Sequence, residues 1–194
     1  MADREQELAN FFVHESSFVD DGASVGDGTK IWQFSHVQAG AVIGKKCSLG
    51  QNVNVANNVR IGDGVKIQNN VSIYEGVELE NWVFCGPSCV FTNDLTPRSK
   101  YPKGSANYKK TVVHEGASIG ANATIVCGHN IGAWAMIGAG AVVVSDVPEH
   151  ALMLGVPARQ KGWVCECGAV LPSDLTCTDC GRKYQEFGNG LMEA

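Results

Sequence analysis

The 194-residue chain lacks an apolar run long enough to cross a bilayer: the longest, Ala133 to Val144, is too short. It also lacks the basic stretch and apolar segment of a secretion signal, since it begins MADREQELANFF. Positive charge is not in surplus either. Fifteen basic against twenty acidic residues leave a formal net charge of −5 and a pI of about 5.5, so the surface offers no general attraction for nucleic acid. The expectation from these absences is a cytoplasmic protein whose partners are neither membranes nor nucleic acids, of a length suited to one domain. Also missing is the 3.6-residue rhythm of an amphipathic helix.

What is present has a period of six. Val19, Val25, Ile31, Val37, Ile43, Leu49, Val55, Ile61, Ile67, Ile73 and Leu79 form eleven consecutive branched aliphatics at six-residue intervals. That spacing fits a solenoid in which each six-residue unit is a short strand plus a corner, and three units close a triangular coil of about 18 residues. The aliphatics point inward. Residues two before them share that face, and there the chain places Ala23, Thr29, Ser35, Ala41, Cys47, Val53, Val59, Val65 and Val71, small or β-branched as a narrow core requires. Gly26, Gly44, Gly50 and Gly62 follow aliphatics directly and are expected at corners with unusual backbone angles. The pattern resumes, shifted, at Val113, Ile119, Ile125, Ile131, Ile137 and Val143.

Between the two runs, about residues 92–112 carry Pro97, Pro102 and five basic residues without the repeat. This segment reads as a loop thrown out from one corner, either functional or a solvated excursion. Cys47, Cys85, Cys89 and Cys127 lie inside repeat units as small hydrophobes. Cys165-Glu-Cys167-Gly and Cys177-Thr-Asp-Cys180-Gly resemble the two knuckles of a zinc ribbon, which would make the ion structural, with free thiols or redox pairs as the alternative. The expected division is a β-helix over 1–163 and a zinc-ribbon-like tail over 164–194.

The segments IWQFSHV (31–37), SLGQNVNV (48–55), KIQNNVSIYEGV (66–77), VFCGPSCVFTND (83–94), GASIGANATIVCG (116–128), IGAGAVV (137–143) and GVPARQKGW (155–163) resemble the left-handed β-helix hexapeptide acyltransferases. More narrowly they resemble the nucleotide-sugar N-acetyltransferases that act on the 3-amino group of UDP-2-acetamido-3-amino-2,3-dideoxyglucuronate, over about residues 14–163. The resemblance implies an all-β, left-handed parallel β-helix assembled as a homotrimer with its sites between subunits, acetyl-CoA as co-substrate, and a role in surface polysaccharide (lipopolysaccharide O-antigen) synthesis. It implies that Asn93 lies by the reacting amine. Asp94 could accept a proton or a sugar hydroxyl. His36, outward-facing before Val37, is a base or a substrate donor, or else a surface histidine at a subunit contact. The relatives do not clearly require a protein base.

Gly138-Ala139-Gly140-Ala141, with Ala121 in the coil before, leaves a strip of bare backbone where a pantetheine arm could hydrogen-bond to amides, with Arg159 and Lys161 placed for the CoA phosphates. The plainer reading is another corner. Gln68, Asn69 and Glu75 could read a base or sugar, or form a solvated corner or asparagine ladder. Arg98, with Lys100 and Lys103, would face a uronate or pyrophosphate. His129 sits where a small inward residue is wanted, so it crowds the core or marks a corner that opens. Rival readings are a dTDP-3-amino-6-deoxyhexose acetyltransferase, a carbonic-anhydrase-like β-helix with zinc held by histidines, and a non-catalytic docking scaffold.

Overall fold

The computed structural model describes residues 10–194; residues 1–9, which carry much of the acidic N-terminal stretch, lie outside it. Each six-residue step becomes a two-residue strand and a corner, and three parallel sheets wrap a filled interior. Face one stacks Phe12–Val13, Lys30–Ile31, Ser48–Leu49, Lys66–Ile67, Phe84–Cys85, Ser118–Ile119, Met136–Ile137 and Ala151–Leu154. Face two runs from Phe18–Val19 through His36–Val37, Asn54–Val55, Ser72–Ile73, Val90–Phe91 and Thr124–Ile125 to Val142–Val143. Face three runs from Ser24–Val25 through Val42–Ile43, Arg60–Ile61 and Val77–Leu79 to Thr111–Val113. Register partners such as Phe12, Lys30, Ser48, Lys66 and Phe84 are separated by the expected coil length. The chain is therefore a parallel β-helix.

The inward rows are the predicted ones. Ile31, Leu49, Ile67, Cys85, Ile119 and Ile137 are buried in line along face one, and Val37, Val55, Ile73, Phe91, Ile125 and Val143 along face two. Burying each such side chain contributes about 1.5–3 kcal/mol, which compensates for strands too short to hold alone. The hydroxyls among the inward residues are satisfied by the next coil. Thr29 Oγ1 donates to the Gly44 carbonyl at 2.9 Å and accepts from the Cys47 amide at 3.0 Å, and Ser35 Oγ repeats this with Gly50 and Val53. Burial pushes the Cys47 thiol up, and a hydrogen bond with Cys89 together with burial holds Cys85 well above the usual thiol range. Both are inert core residues.

The corner glycines have a different cause from the one expected. Gly26, Gly44, Gly50 and Gly62 do not have positive φ; a Cβ on Gly26 or Gly44 would sit 2.6 Å from a carbonyl carbon of the next coil's corner. They are selected by close approach between coils. The left-handed residue comes two places later and is often not glycine, as at Asn52, Asn70 and Asn122 (φ 57, 61 and 55), where asparagine tolerates that conformation.

The excursion leaves the corner between faces two and three after Phe91 and rejoins at Thr111, slightly earlier than the sequence pattern suggests, because the strand there has three residues. It contains a short 3-10 turn, Ser105–Asn107. Its neck is closed by the Lys109 amide donating to the Asn93 carbonyl at 2.9 Å. After Leu154 the chain turns back as Arg159–Trp163, antiparallel to Ala151–Leu154, and enters a small module around Cys165, Leu171, Cys177, Tyr184 and Leu191. Among the described residues no helix is long and apolar enough to cross a membrane.

Candidate active site

The corner from face one to face two forms a straight edge along the prism. Its successive steps begin with Trp32, Gly50, Gln68, Gly86, Gly120, Gly138 and Leu154, so side chains crowd the two ends and bare backbone lies in the upper middle. Gly120 is obligatory there, since its Cβ would lie 2.5 Å from the Ala139 nitrogen; a Cβ on Gly138 would collide with the Leu154 side chain. Ala121 and Ala139 stand on successive coils, joined by the Gly140 amide donating to the Ala121 carbonyl at 2.8 Å. The supply of amides is smaller than the sequence suggests. Gly138 donates to Met153, Gly140 to Ala121 and Ala141 to Gly138, at 2.8–3.2 Å. Of the four amides in that stretch, Ala139's has no acceptor among the described residues. Arg159 pairs with Leu154 in register, one step beyond Gly138, so it joins the strip's upper end. Lys161 lies at the register shift in the same antiparallel pair and is exposed.

Gln68 and Asn69 lie on this edge lower down, beside Trp32, Gln33, Gly50 and Gln51 in a shallow depression of about 440 Å³. Asn69 also serves the fold: its Oδ1 accepts the Gln51 amide at 2.9 Å, and Asn52 Nδ2 donates to Asn70 Oδ1 at 3.1 Å. One asparagine rung, Asn52 to Asn70, thus joins two adjacent coils. Glu75 belongs to the opposite edge of face two, where Asn58 Nδ2 donates to its Oε1 at 3.4 Å. It lines a cleft of about 300 Å³ with Arg60, Glu78, Ser105, Tyr108 and Lys110, roofed by the loop. The substrate candidates thus divide between two edges of one face.

Asn93 is half-buried at the loop's neck on that second edge. Asp94 is committed to the loop, its Oδ1 accepting the Thr96 amide at 2.8 Å and facing Lys103 Nζ at 3.4 Å. Arg98 is exposed on the loop and donates to its neighbour Pro97's carbonyl at 3.0 Å.

His36 projects outward from face two, half-buried, with Nε2 2.8 Å from Asp20 Oδ1 and the Phe18 ring edge-on to its own at 6.5 Å. A carboxylate on one ring nitrogen orients an imidazole and supports a proton on it, the arrangement a general base uses. Asp20 escaped sequence reasoning. Its signal was the coil length: Phe18 lies directly below His36, and Asp20 is two residues on. Three ladder steps separate the strand of His36 from that of Asn93's neck, about 14 Å at ~4.8 Å per step. One chain does not bring the two together.

The other histidines do not converge. His114 faces Glu80 at 3.1 Å on the third corner, and His129 faces Asp146 at 3.9 Å on the second. His129 is half-buried, so it marks an open corner, while Cys127 nearby fills the core. Among the described residues the metal-capable cluster is the four cysteines, whose Sγ atoms all lie within 4.8 Å of one another; no three-histidine group supports the carbonic-anhydrase reading. At Cys165 burial raises the thiol, but hydrogen bonds from Tyr184, the backbone and the neighbouring thiols outweigh it and bring it to about 6. At Cys167 the Ala169 backbone favours the thiolate, yet Cys165 and Cys177 push it up to about 12. Backbone hydrogen bonds from Cys180 and Asp179 also lower Cys177, so the thiols of the cluster are pushed in opposite directions.

The described geometry agrees with known proteins. The family model for the bacterial transferase hexapeptide (six repeats) matches residues 22–57. The dTDP-3-amino-3,6-dideoxy-alpha-D-galactopyranose 3-N-acetyltransferase of Aneurinibacillus thermoaerophilus is 42% identical over 183 residues, 93% of each chain. The chain belongs to the hexapeptide-repeat N-acetyltransferases. It is an acyltransferase, and the docking-scaffold reading falls away. A bifunctional GlmU protein of a Synechococcus species is 32% identical over 69% of this chain, which spans 27% of that longer protein. Among solved structures, a hexapeptide-repeat acetyltransferase of Vibrio cholerae complexed with acetyl-CoA matches with TM-score 0.55 and 28% identity, covering 64% of this chain and 70% of that one. The acetyltransferase domain of PglB from Neisseria gonorrhoeae shares the fold at TM-score 0.51 and 22% identity, over 78% and 57%.

Proposed function

We propose that this N-acetyltransferase moves the acetyl group of acetyl-CoA onto the 3-amino group of a nucleotide-linked amino sugar. A dTDP-3-amino-3,6-dideoxyhexose is favoured over the UDP-3-amino uronate to which the sequence motifs point first. The carrying observation is the likeness to the Aneurinibacillus enzyme, 42% identical over 93% of both lengths. The product feeds surface polysaccharide synthesis, in the cytoplasm where nucleotide sugars and acetyl-CoA are found.

The chemistry needs three things: a neutral amine, a donor for the oxyanion that develops as the amine attacks the thioester carbonyl, and a surface holding both partners in line. Attack forms the C–N bond, the C–S bond breaks, and the amine's surplus proton leaves with the thiol. The pantetheine arm lies along the Gly120–Ala121 and Gly138–Ala139 steps with the Ala139 amide as hydrogen-bond donor, and Arg159 and Lys161 meet the phosphates. Asn93 orients the amine. His36, held by Asp20, holds a part of the ligand away from the amine. Asn93 and His36 are offset by about 14 Å along the axis, which a copy packed side by side does not shorten, so the two meet different parts of one extended ligand in clefts between the prisms of a homotrimer. Residues 1–163 form this acetyltransferase unit and 164–194 a separate tail.

A thiol-release assay with acetyl-CoA against dTDP-3-amino-3,6-dideoxyhexose, a UDP-3-amino uronate and serine tests the assignment. The first substrate should turn over best. Release with serine alone would overturn the sugar assignment.

A further inference from the structure

Every candidate acetyl-transfer residue named above precedes residue 164, yet the tail is built as carefully as the prism. Residues 164–194 bury six side chains, Val164, Cys165, Leu171, Cys177, Tyr184 and Leu191, two of them cysteines. So small an apolar cluster cannot hold some thirty residues in one conformation, and modules of this size use a metal or disulfides. Disulfides are absent: all four cysteines are free, with Cys165–Cys180 and Cys167–Cys177 Sγ separations of 3.5 Å each.

The four sulfurs lie within 4.8 Å of one another. Four thiolates at the usual zinc–sulfur bond length have their sulfurs about 3.8 Å apart. Each cysteine pair sits on a turn closed by a glycine, three residues after Cys165 and four after Cys177. The Gly168 amide donates to the Cys165 carbonyl at 2.8 Å and the Gly181 amide to the Cys177 carbonyl at 3.0 Å, and both glycines take positive φ (95 and 78). Arg182 Nη1 donates to Cys180 Sγ at 3.5 Å, and the Tyr184 hydroxyl lies 3.1 Å from Cys165 Sγ, so the sulfurs have an outer set of polar partners.

The module is keyed to the last coil. Tyr184 bridges the cluster and the prism: its ring packs on His150 at 4.9 Å. His150 is buried at the final corner. Its Nδ1 lies 2.9 Å from the Val164 carbonyl, and its own carbonyl accepts the Val164 amide at 2.8 Å. Arg159–Trp163, which covers the open edge of Ala151–Leu154, runs straight into the first cysteine turn. A stacked-repeat protein must close its terminal coil against solvent and against pairing with another edge.

We propose that Cys165, Cys167, Cys177 and Cys180 hold one zinc ion as thiolates, and that the metal-loaded module is the cap that secures the C-terminal end of the prism through Tyr184, His150 and the strand Arg159–Trp163. The proposal stands independently of which substrate is acetylated.

The full chain, purified without chelator, should contain one zinc per chain by elemental analysis. Exchange into cobalt should give the intense visible bands of a tetrahedral tetrathiolate site. Hydrogen exchange followed by mass spectrometry should show that removing zinc with a strong chelator unprotects residues 136–164, while coils around Leu49–Ile73 keep their protection. The double variant Cys177→Ser, Cys180→Ser should lose the metal and reproduce that pattern. A chain that takes up no metal from added zinc, or that carries iron and is coloured as purified, would overturn the zinc site. Zinc that can be removed without altering exchange over 136–164 would overturn its role as a cap.

Discussion

Asn93 and the His36–Asp20 pair carry the sharpest expectations. Asn93→Ala should lower kcat/KM at least tenfold, a loss of about 1.4 kcal/mol of transition-state stabilisation, in steady-state assays with the amino sugar varied. Unchanged kinetics would remove that residue from the site. Asp20 contacts the ring nitrogen of His36 at 2.8 Å, so His36→Gln and Asp20→Asn should each reduce turnover and the double variant should be little worse than His36→Gln, because residues in one network are not additive. Fully additive losses would show that Asp20 does not act through His36. At this scale the sequence was legible in part. His36 and Asn93 sit in recognisable motifs, and their outward or loop placement follows from the phase of the repeat. Asp94 and Asn69 are harder, since a carboxylate folded back onto Thr96 and an amide that serves the coil below look the same in sequence as ones left free for ligand.

The coil and its corner were the most readable element, because a strict six-residue period can satisfy only one backbone geometry. The inner rows came out as expected, with Thr29 and Ser35 buried among them. The reason for the corner glycines did not, because contact between coils depends on how closely they stack, which no local pattern records. Gly120→Val tests that contact directly. Its side chain would meet the Ala139 backbone, and overpacking of this kind costs about 1–3 kcal/mol, so thermal denaturation should show a lower Tm and assays a higher KM for acetyl-CoA. A variant with wild-type Tm and KM would show that the strip has room. The loop's return offers the opposite case. Thr111 Oγ1 is buried without a partner among the described residues; leaving such a group unsatisfied costs about 1–3 kcal/mol, so Thr111→Val should raise Tm. A fall in Tm would mean that the hydroxyl has a partner in solution.

The whole molecule raises the question that one chain leaves open. Exposed Phe18, Val90 and Val144 lie along face two or its margin, the face between the bare strip and the loop's neck. Sedimentation should report a trimer. Refolding an equal mixture of Asn93→Ala and His36→Gln chains should recover activity at about a quarter of the sites, since clefts that combine the intact residue of each chain reappear. No recovery would mean that each cleft draws both residues from one chain. The distribution of the candidate residues over two edges of one face was invisible in the sequence, because a repeat gives depth along the axis and says nothing of which neighbour lies alongside.

The stacked ladder has a last effect on evolution. A surface whose rows advance by a constant rise of ~4.8 Å measures its ligand in whole rungs. The span from the Trp32 step to the Leu154 step can lengthen by a full turn of the chain or not at all. Adapting to a different sugar is therefore left to the insertion over the second edge, which can change length freely because the rungs on either side of it still pair, Val77–Leu79 with Thr111–Val113 and Val90–Phe91 with Thr124–Ile125.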